Sequence, residues 1–306
     1  MNLSSLRVFR DRSLGRGGSA AALYRCTTAD NESLLFKEYR PEILADIDEF
    51  ALSANIGWRT SLSPRLRGEL DLVACWPRAA VLDRSKVVGV LLTQAPGRFF
   101  EHTGTDESTP RDLSALARDS QYCAKYTVTH FPAPRKLSTL GHLFEVLALL
   151  HREGVVYGDL QFKNVLTTGG PGTMSVYLLD CDGALVNGRS AFRRTLDPET
   201  WRLPGTIGFS RSTDLYKAAL ATVRCLSEGP EWSPGRLPFR LDAMSDLLPQ
   251  VDLRALERML SPDPAARAVV TALGLSPMAS AWRQLVSESG KMYRRNDRFA
   301  MTPWDR

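Results

Sequence analysis

The hydrophobic pattern of the first hundred residues is typical of short β-strands separated by turns. The sequence LRVFRDRSLGRGG predicts a strand that enters a glycine turn. Two further strands are predicted in AALYRCTTADNESLLFKEYR, with a turn near Asp30 and Asn31. The segment LDLVACWPRAAVLDRSKVVGVLLTQAPG predicts two more strands, which are separated by a turn at Asp83–Ser85.

Apolar positions at spacings of three and four predict helices in other segments. In EILADIDEFALSANI this spacing includes Phe50 and predicts one continuous helix. LSALARDSQYCAKY predicts a second helix. STLGHLFEVLALLHREG predicts a third, with Ser138 as its N-cap and Gly154 as its stop.

The rest of the chain is predicted to be mostly helical. STDLYKAALATVRCLSEG predicts one helix and LRALERMLSPDPAARAVVTAL two more. Short strands are predicted around Val155–Tyr157 and Val176–Asp180, whereas HTGTDESTPRD and residues 183–212 are expected to be irregular.

A β-rich first third followed by a helical remainder predicts an α+β protein with two lobes. The break at residues 95–97 separates a first lobe over 1–95 from a second over 96–290, and a polar basic tail occupies 291–306.

Composition narrows the classes of partner and compartment. The 306 residues are 43% hydrophobic and 24% charged, with a net charge of +5. So small an excess does not favour nucleic acid binding, and no apolar run reaches the length of a membrane span. The five cysteines are widely spaced, which indicates free thiols in a reducing compartment and no zinc site. The N-terminal sequence lacks the apolar run of a signal peptide, so we expect a cytoplasmic protein.

Two features of the β-rich part favour phosphate binding. Small residues stand between the first two predicted strands, namely Gly15, Gly17, Gly18 and Ser19, and they let backbone N–H groups approach phosphate oxygens. Lys37 ends an apolar strand, where its ammonium can pair with the phosphates of a nucleotide. Without a nucleotide, the same residues would form a plain hairpin turn and an edge-strand lysine that reaches water.

Two features of the helical part favour metal-assisted chemistry on a hydroxyl. In VVYGDLQFKNVL, residues 155–166, Asp159 precedes Asn164 by five positions. From such a loop a carboxylate that accepts a hydroxyl proton and an amide that binds Mg²⁺ can face one centre. Asp180 directly follows an apolar strand, where its hard oxygens can ligate a metal. A polar turn with no catalytic role is the alternative for both segments.

These four features occur in the order and structural context of the protein-kinase-like superfamily, which the chain resembles from about Leu6 to Leu273. Asp214 resembles the aspartate that opens the buried helix below the catalytic loop, and Arg267 resembles the arginine of the late D-P-x-x-R element. The segments CWP, LLDCDGA and TDLYKAAL are most similar to divergent bacterial kinases that are associated with von Willebrand-type and phosphatase-type partner proteins.

The resemblance implies a bilobal fold, ATP and Mg²⁺ as cofactors, and a role for each matched residue. Asn164 and Asp180 are implied to ligate Mg²⁺, and Asp159 to orient and deprotonate the acceptor hydroxyl. The residues implied to bind the nucleotide are Gly15, Gly17, Gly18, Ser19, Lys37, Thr93 and Ala95, with Ala20 in the place of the third glycine of the family.

The loop around Asp159 departs from the family pattern. Tyr157-Gly158 replaces His-Arg, so the arginine that receives an activation-loop phosphate is absent. Phosphorylation of residues 183–212 is therefore not an expected switch. Gln161 stands where a lysine is usual, and a neutral amide stabilises developing negative charge less well. Lys163 is the nearby candidate to compensate.

Two assignments stay open. Asp180-Cys181-Asp182 replaces Asp-Phe-Gly, so either aspartate can be the metal ligand. Asp180 is favoured because family members place the ligand directly after the strand. The helix carboxylate that pairs with Lys37 is expected to be Glu49, and its rivals are Asp48 and Glu42.

The sequence therefore predicts an ATP- and Mg²⁺-dependent phosphotransferase. A protein Ser/Thr hydroxyl is the expected acceptor, because the C-terminal helices resemble those of protein kinases. A small-molecule kinase of the aminoglycoside- or choline-kinase type is the alternative that Gly158-Asp159 and Gln161 favour. The altered D-F-G position also leaves a pseudokinase that binds without catalysis. Neither a nucleic acid nor a membrane is an expected partner.

Overall fold

The structure is a computed structural model that describes residues 1–102, 108–169, 174–192, 197–233 and 241–287. The chain forms two compact units. The first contains Met1–Gly97, Glu153–Asp159 and Tyr177–Asp197. The second contains Arg98–Arg152, Leu160–Val176 and the chain from Pro198 onward. The predicted tail over 291–306 lies outside the described residues.

An antiparallel sheet dominates the first unit, and helices follow it along the chain, so the α+β prediction is confirmed. Its strands are β1 (Arg7–Gly17), β2 (Ala20–Thr27), β3 (Ser33–Tyr39), β4 (Pro77–Asp83) and β5 (Lys86–Leu92). They are arranged in the order β1-β2-β3-β5-β4. The strand β3 is therefore central, and Lys37 lies opposite Leu23 of β2 and Val90 of β5. The alternative of an edge-strand lysine is excluded.

One face of this sheet forms a hydrophobic core. Leu34 and Phe36 of β3 point to this face because alternate residues of a strand share a side, and Cys26, Val81 and Leu91 pack with them. The turns predicted between the strands are confirmed, since Asn31 and both residues of the β4–β5 turn have positive φ.

The helices of the first unit differ from the prediction. They are α1 (Pro41–Asp46), α2 (Glu49–Ser61) and α3 (Pro64–Asp71). One continuous helix was predicted across the first two, but Ile47 is extended and forms an isolated β-bridge with Phe192. Asp48 then caps α2 by accepting a hydrogen bond from the backbone N–H of Ala51 at 3.0 Å. Phe50 is consequently 87% exposed and is not a core residue.

The helix α3 occupies a segment whose end was predicted to be a strand. Ser63 accepts a hydrogen bond from the N–H of Leu66, and Pro64 is the first helical residue. Both residues are typical of a helix start. The hydrophobic pattern after Leu70 nevertheless predicts a strand. The strand β4 begins only at Pro77.

Short strands lie between the helices of the chain. They are β6 (Phe100–His102), β7 (Ser108–Pro110), β8 (Val155–Val156), β9 (Val165–Thr167), β10 (Val176–Leu178) and β11 (Leu185–Val186). The strands β6 and β7 pair antiparallel, so the segment predicted as a loop contains the strand β7. The strands β8 and β11 pair in the first unit.

Helices dominate the second unit. Among those described are the 3-10 helix Leu113–Ala117, α4 (Ser120–Tyr126), α5 (Ala133–Arg152), α6 (Arg211–Leu226), α7 (Gln250–Leu260), α8 (Pro264–Ala268) and α9 (Ser276–Ser287). The helix predicted over LSALARDSQYCAKY is divided in two. The side chain of Asp119 caps the start of α4 by accepting a hydrogen bond from the backbone N–H of Tyr122. Ser138 is not an N-cap, since α5 begins at Ala133 and buries Ser138 in its interior.

Buried aromatic and polar contacts hold these helices together. Phe144 of α5 and Trp282 of α9 meet edge to face with their ring centroids 6.0 Å apart. The indole N–H of Trp282 donates to Asp252 of α7 at 2.8 Å. Within the parts of the chain that the structure describes, no helix combines the length and apolarity that a bilayer crossing requires.

Candidate functional site

Lys37 is the centre of a buried charged cluster in the first unit. Because side chains alternate along β3, Lys37 and Tyr39 lie on the face opposite Phe36. The side chain of Lys37 is 3% exposed, and its Nζ lies 3.0 Å from Oδ1 of Asp180 and 2.9 Å from Oδ1 of Asp182. Residues that are 143 and 145 positions away in the chain thus provide its counter-charges.

Asp182 is fully buried, and both of its carboxylate oxygens are hydrogen-bonded. Lys37 donates to Oδ1, and the hydroxyl of Tyr39 donates to Oδ2 at 2.8 Å. The turn that contains Asp182 is fixed by Asn55 of α2, whose Nδ2 donates to the carbonyls of Cys181 and Ala184. A buried carboxylate is tolerated only with such pairing, because the transfer of a charged group from water to the protein interior costs roughly several kcal/mol.

Asp180 lies two residues earlier in the same turn, but its environment is different. Its side chain is 41% exposed. Its backbone is left-handed, with φ 52° and ψ 35°, an uncommon conformation for a residue other than glycine. Such conformations persist where the surrounding structure enforces them, and they cluster at functional sites. Asp180 therefore presents a carboxylate to solvent beside the buried ammonium of Lys37.

Burial and the neighbouring charges shift the pKa values of Lys37 and Tyr39. Burial by itself lowers the pKa of Lys37, but the charges of Asp180 and Asp182 outweigh it and raise this pKa above the usual range. Burial, followed by the charge of Asp182, raises the pKa of Tyr39 well above its usual value, so its hydroxyl is a donor. Two carboxylates against one ammonium leave an excess negative charge, which suits a cation.

Two cysteines near the cluster are not nucleophiles. Burial raises the pKa of the Cys75 thiol to about 12 and that of Cys181 well above its usual value. All five cysteines of the chain are free and buried. Cys75 instead donates from Sγ to the carbonyl of Thr93 at 3.2 Å.

The predicted carboxylate partner of Lys37 is wrong. Among the described residues, the carboxylates in contact with Lys37 are Asp180 and Asp182. Glu49 is exposed in the first turn of α2, because Asp48 ends the preceding extended segment and starts the helix there. The side chain of Asp48 is engaged as the cap, and Glu42 is exposed on α1.

Asp159 is connected to the Asp180 turn through Tyr157. The ring of Tyr157 is fully buried, and its hydroxyl donates to the carbonyl of Leu179 at 2.7 Å. Gly158 then turns the chain with φ 83°, a conformation that an arginine would adopt only with strain. The sequence pattern marked Tyr157 only as a departure from the family and did not predict this contact. The signal in the sequence that could have indicated this contact is the position of a large aromatic residue directly after a buried strand.

The predicted glycine loop forms the end of the β1–β2 hairpin. Gly15 and Gly17 belong to β1, where the pairing with β2 is irregular, and Gly18 with Ser19 forms the turn. The carbonyl of Ser19 accepts a hydrogen bond from the N–H of Arg40 at 3.1 Å. Of the predicted adenine-binding residues, Thr93 directly follows β5 and Ala95 lies two residues later. Thr93 is engaged through its carbonyl by Cys75 and through its hydroxyl by Arg78.

A glycine on the neighbouring strand maintains the position of Lys37. A Cβ atom at Gly89 of β5 would lie 2.1 Å from the backbone carbonyl oxygen of Lys37. It would also lie 2.9 Å from a ring carbon of Phe36. No side chain fits at this position without a shift of β3 or β5.

Three other predicted residues lie in the second unit. Gln161 and Asn164 are buried at the two ends of the turn that contains Lys163, which is exposed. Phe162 of this turn meets the ring of Trp201 edge to face at 5.0 Å. The guanidinium of Arg224 lies 4.5 Å from the centroid of the same Trp201 ring. A row of three side chains thus joins this turn to α6.

Asp214, predicted to open a buried helix, lies in the first turn of α6 and is fully buried. Its Oδ2 is 2.9 Å from Nε2 of His151. Arg267 is also buried and donates to the carbonyl of Ser261.

Neither a family model nor a curated protein matches this chain. The chemistry assigned to the cluster therefore rests on its own residues, which are a buried ammonium, a buried carboxylate that holds it, and an exposed carboxylate beside both.

Proposed function

We propose that the chain is an ATP- and Mg²⁺-dependent phosphotransferase with a bilobal protein-kinase-like fold. Its acceptor is the hydroxyl of a Ser or Thr side chain on a protein. The observation that carries this proposal is the ion pair of 3.0 Å between Lys37 and Asp180. One sequence motif assigns Lys37 to the nucleotide phosphates, and a different motif assigns Asp180 to the metal. These two residues are in direct contact. A strand lysine and a polar turn without a shared role would have no reason to meet.

The residues of the first unit fit a nucleotide with its metal. The exposed carboxylate of Asp180 is a hard oxygen ligand of the kind that Mg²⁺ prefers. The ammonium of Lys37 is charged and lies 3.0 Å from Asp180, so it can pair with phosphate oxygens once a metal offsets the charge of that carboxylate. When bound, Mg²⁺ would neutralise charge on the transferring phosphoryl group. Asn164 is proposed as a further ligand on the sequence pattern alone.

Asp159 is the proposed acceptor of the hydroxyl proton. The hydrogen bond from Tyr157 to Leu179 ties its loop to the residue before Asp180, which supports a fixed spacing between base and metal ligand. Gln161 would donate a hydrogen bond to the phosphoryl group, and Lys163 would add positive charge. Their roles follow from their offsets after Asp159.

Phosphate transfer from radiolabelled Mg-ATP to proteins of a cell lysate tests the function. Asp159→Ala should reduce the rate by roughly 10²–10⁴-fold, the usual contribution of a general base. Asp30→Ala is the matched control, because Asp30 is an exposed turn aspartate of the first unit. Equal transfer by wild type and Asp159→Ala would contradict the proposal.

The left-handed Gly158 next to Asp159 favours a second candidate, a kinase that phosphorylates a small molecule. The Gly-Asp pair resembles that of aminoglycoside- and choline-kinase-like enzymes, and this backbone does not suit the arginine of the His-Arg-Asp pattern. Transfer to a metabolite extract, but to no protein including the chain itself, would assign this class. ATP binding without transfer to either pool would identify a pseudokinase.

A further inference from the structure

Lys37 is held by two carboxylates of a single turn, and only one of them is free to be replaced. Asp182 has no exposed surface, whereas Asp180 is 41% exposed. The two residues contact the same ammonium at nearly equal distances of 2.9 and 3.0 Å. The distances to Lys37 therefore do not distinguish the two aspartates, but the exposure of their side chains to water does.

Asp182 cannot leave Lys37 without a large loss of stability. Its second oxygen is occupied by the hydroxyl of Tyr39, which comes from the same strand as Lys37. The backbone on both sides of Asp182 is fixed by Asn55. Separation would leave a charge buried without its partner, which is among the most destabilising changes in a protein interior.

Asp180 can exchange one partner for another at little cost. Its exposed side chain keeps part of its hydration, and the hydrogen bond to Lys37 uses Oδ1. A cation that approaches from solvent would meet this carboxylate without opening the buried part of the cluster.

We propose that Asp182, held by Tyr39, is the positioning residue that orients Lys37 toward the nucleotide phosphates, while Asp180 exchanges Lys37 for the metal. This inference rests on the proposed function. It also implies that the orientation of Lys37 is set by the sheet and the turn at Asp180–Gly183. A carboxylate of helix α2 has no part in it, because Glu49 is exposed and Asp48 caps the helix.

The affinity for ATP without Mg²⁺, measured by calorimetry in EDTA, tests the division of roles. Removal of a negative charge near an anionic ligand should by itself strengthen binding. Asp182→Asn should nevertheless weaken ATP binding by about tenfold or more, because Lys37 loses its charge-assisted anchor. Asp180→Asn should bind ATP at least as tightly as wild type in EDTA and should lose the gain in affinity that Mg²⁺ gives wild type.

A double-mutant cycle separates positioning from a general structural effect. If Asp182 acts through Lys37, then Asp182→Asn should cost no further ATP affinity in a Lys37→Met background. Additive losses would show that Asp182 only maintains the fold. Tyr39→Phe provides a milder variant, which keeps the Lys37–Asp182 pair and removes one hydrogen bond. Should Asp182→Asn or Lys37→Met fail to fold by circular dichroism, Tyr39→Phe decides by itself. Weaker ATP binding than wild type in EDTA would support the positioning role, and unchanged binding would contradict it.

Failure of this inference is distinguishable from failure of the proposed function. If wild type does not bind ATP, or if Lys37→Met binds it equally well, the nucleotide site itself is wrong. If Lys37→Met weakens binding but Asp182→Asn does not, the site stands and the positioning role is overturned. A loss in Glu49→Gln equal to that in Asp182→Asn would assign the orientation of Lys37 to helix α2 and would also overturn it.

Discussion

The hydroxyl of Tyr157 donates a hydrogen bond of 2.7 Å to the carbonyl of Leu179. Tyr157 is two residues before Asp159, and Leu179 directly precedes Asp180. One buried aromatic side chain therefore connects the backbone of the two segments that carry the proposed base and the proposed metal ligand. We infer that this contact helps to fix the spacing between the two aspartates.

Removal of this hydrogen bond should impair turnover more than binding. Tyr157→Phe keeps the buried ring and deletes only the donor, worth about 0.5–1.5 kcal/mol. We expect kcat for phosphate transfer to fall about two- to tenfold, with the KM for ATP little changed. Tyr122→Phe is the control, because Tyr122 is an exposed tyrosine of α4. An unchanged kcat would contradict a positioning role for Tyr157.

A methyl group at Gly89 should disturb Lys37 through the backbone. Gly89→Ala places a Cβ atom 2.1 Å from the carbonyl oxygen of Lys37, so β3 and β5 must separate. We expect a loss of about 1–3 kcal/mol in unfolding free energy, measured by urea denaturation, together with weaker ATP binding.

Gly68→Ala is the matched control for that change. Gly68 is exposed on helix α3 of the same unit, and a Cβ atom there meets nothing within 4 Å. Alanine is favoured over glycine in helices by roughly 0.5–1 kcal/mol, so this variant should be equal to or more stable than wild type. Similar losses in both variants would refute the specific clash at Lys37.

Acid should destabilise the protein through His142. Burial, followed by the nearby charges of Arg283 and Arg98, lowers the pKa of His142 to about 3, and its Nδ1 accepts a hydrogen bond from the N–H of Val176. The unfolded chain, with a pKa near 6.5, therefore binds the proton first. Stability from this residue is complete above about pH 6.5 and decreases as the pH falls toward 3.

The expected size of this effect is up to about 2 kcal/mol between pH 6.5 and 5, measured by urea denaturation. His142→Asn retains an acceptor for the N–H of Val176 but cannot be protonated in this range, so its stability should decline less steeply. Parallel pH profiles for wild type and His142→Asn would contradict the prediction.

Arg224 should support the segment around Trp201 in a way that lysine cannot. It donates to the carbonyls of Thr200 and Trp232 at 2.8 and 3.0 Å and lies over the ring of Trp201. Lysine lacks the planar guanidinium group, which can donate both hydrogen bonds while it stacks on the ring of Trp201. We expect Arg224→Lys to lose about 1–3 kcal/mol of stability and to reduce phosphate transfer.

Arg254→Lys is the control for Arg224→Lys, since Arg254 is exposed on α7. Thermal unfolding and transfer assays on the two variants give the comparison. Equal behaviour of the two lysine variants would show that the stacked row from Phe162 through Trp201 to Arg224 is not required.

Local signals predicted the five strands of the main sheet and the turns between them, as well as the long helices α5 and α6, because these depend on residues close in sequence. The turn residues near Asn31 and Ser85 are examples, as is the helix that begins at Arg211. The misses have tertiary causes. Ile47 fits a helical spacing, yet it is extended because its backbone pairs with Phe192. Ser138 has the chemistry of an N-cap, but α5 begins earlier, at Ala133, and Ser138 is buried in the helix interior.

For the candidate site, the sequence by itself singled out the residues that are proposed to carry the chemistry. A lysine at the end of an apolar strand, and aspartates directly after other strands, are local features that a pattern reveals. Only the tertiary structure decided which carboxylate holds Lys37. The resemblance to the kinase family implied a partner on the following helix, for which Glu49 was the candidate, whereas the buried partner is Asp182, 145 positions away. The physical reason is burial: a charged lysine inside the protein requires a desolvated, fixed counter-charge, and no local pattern shows which distant turn will supply it.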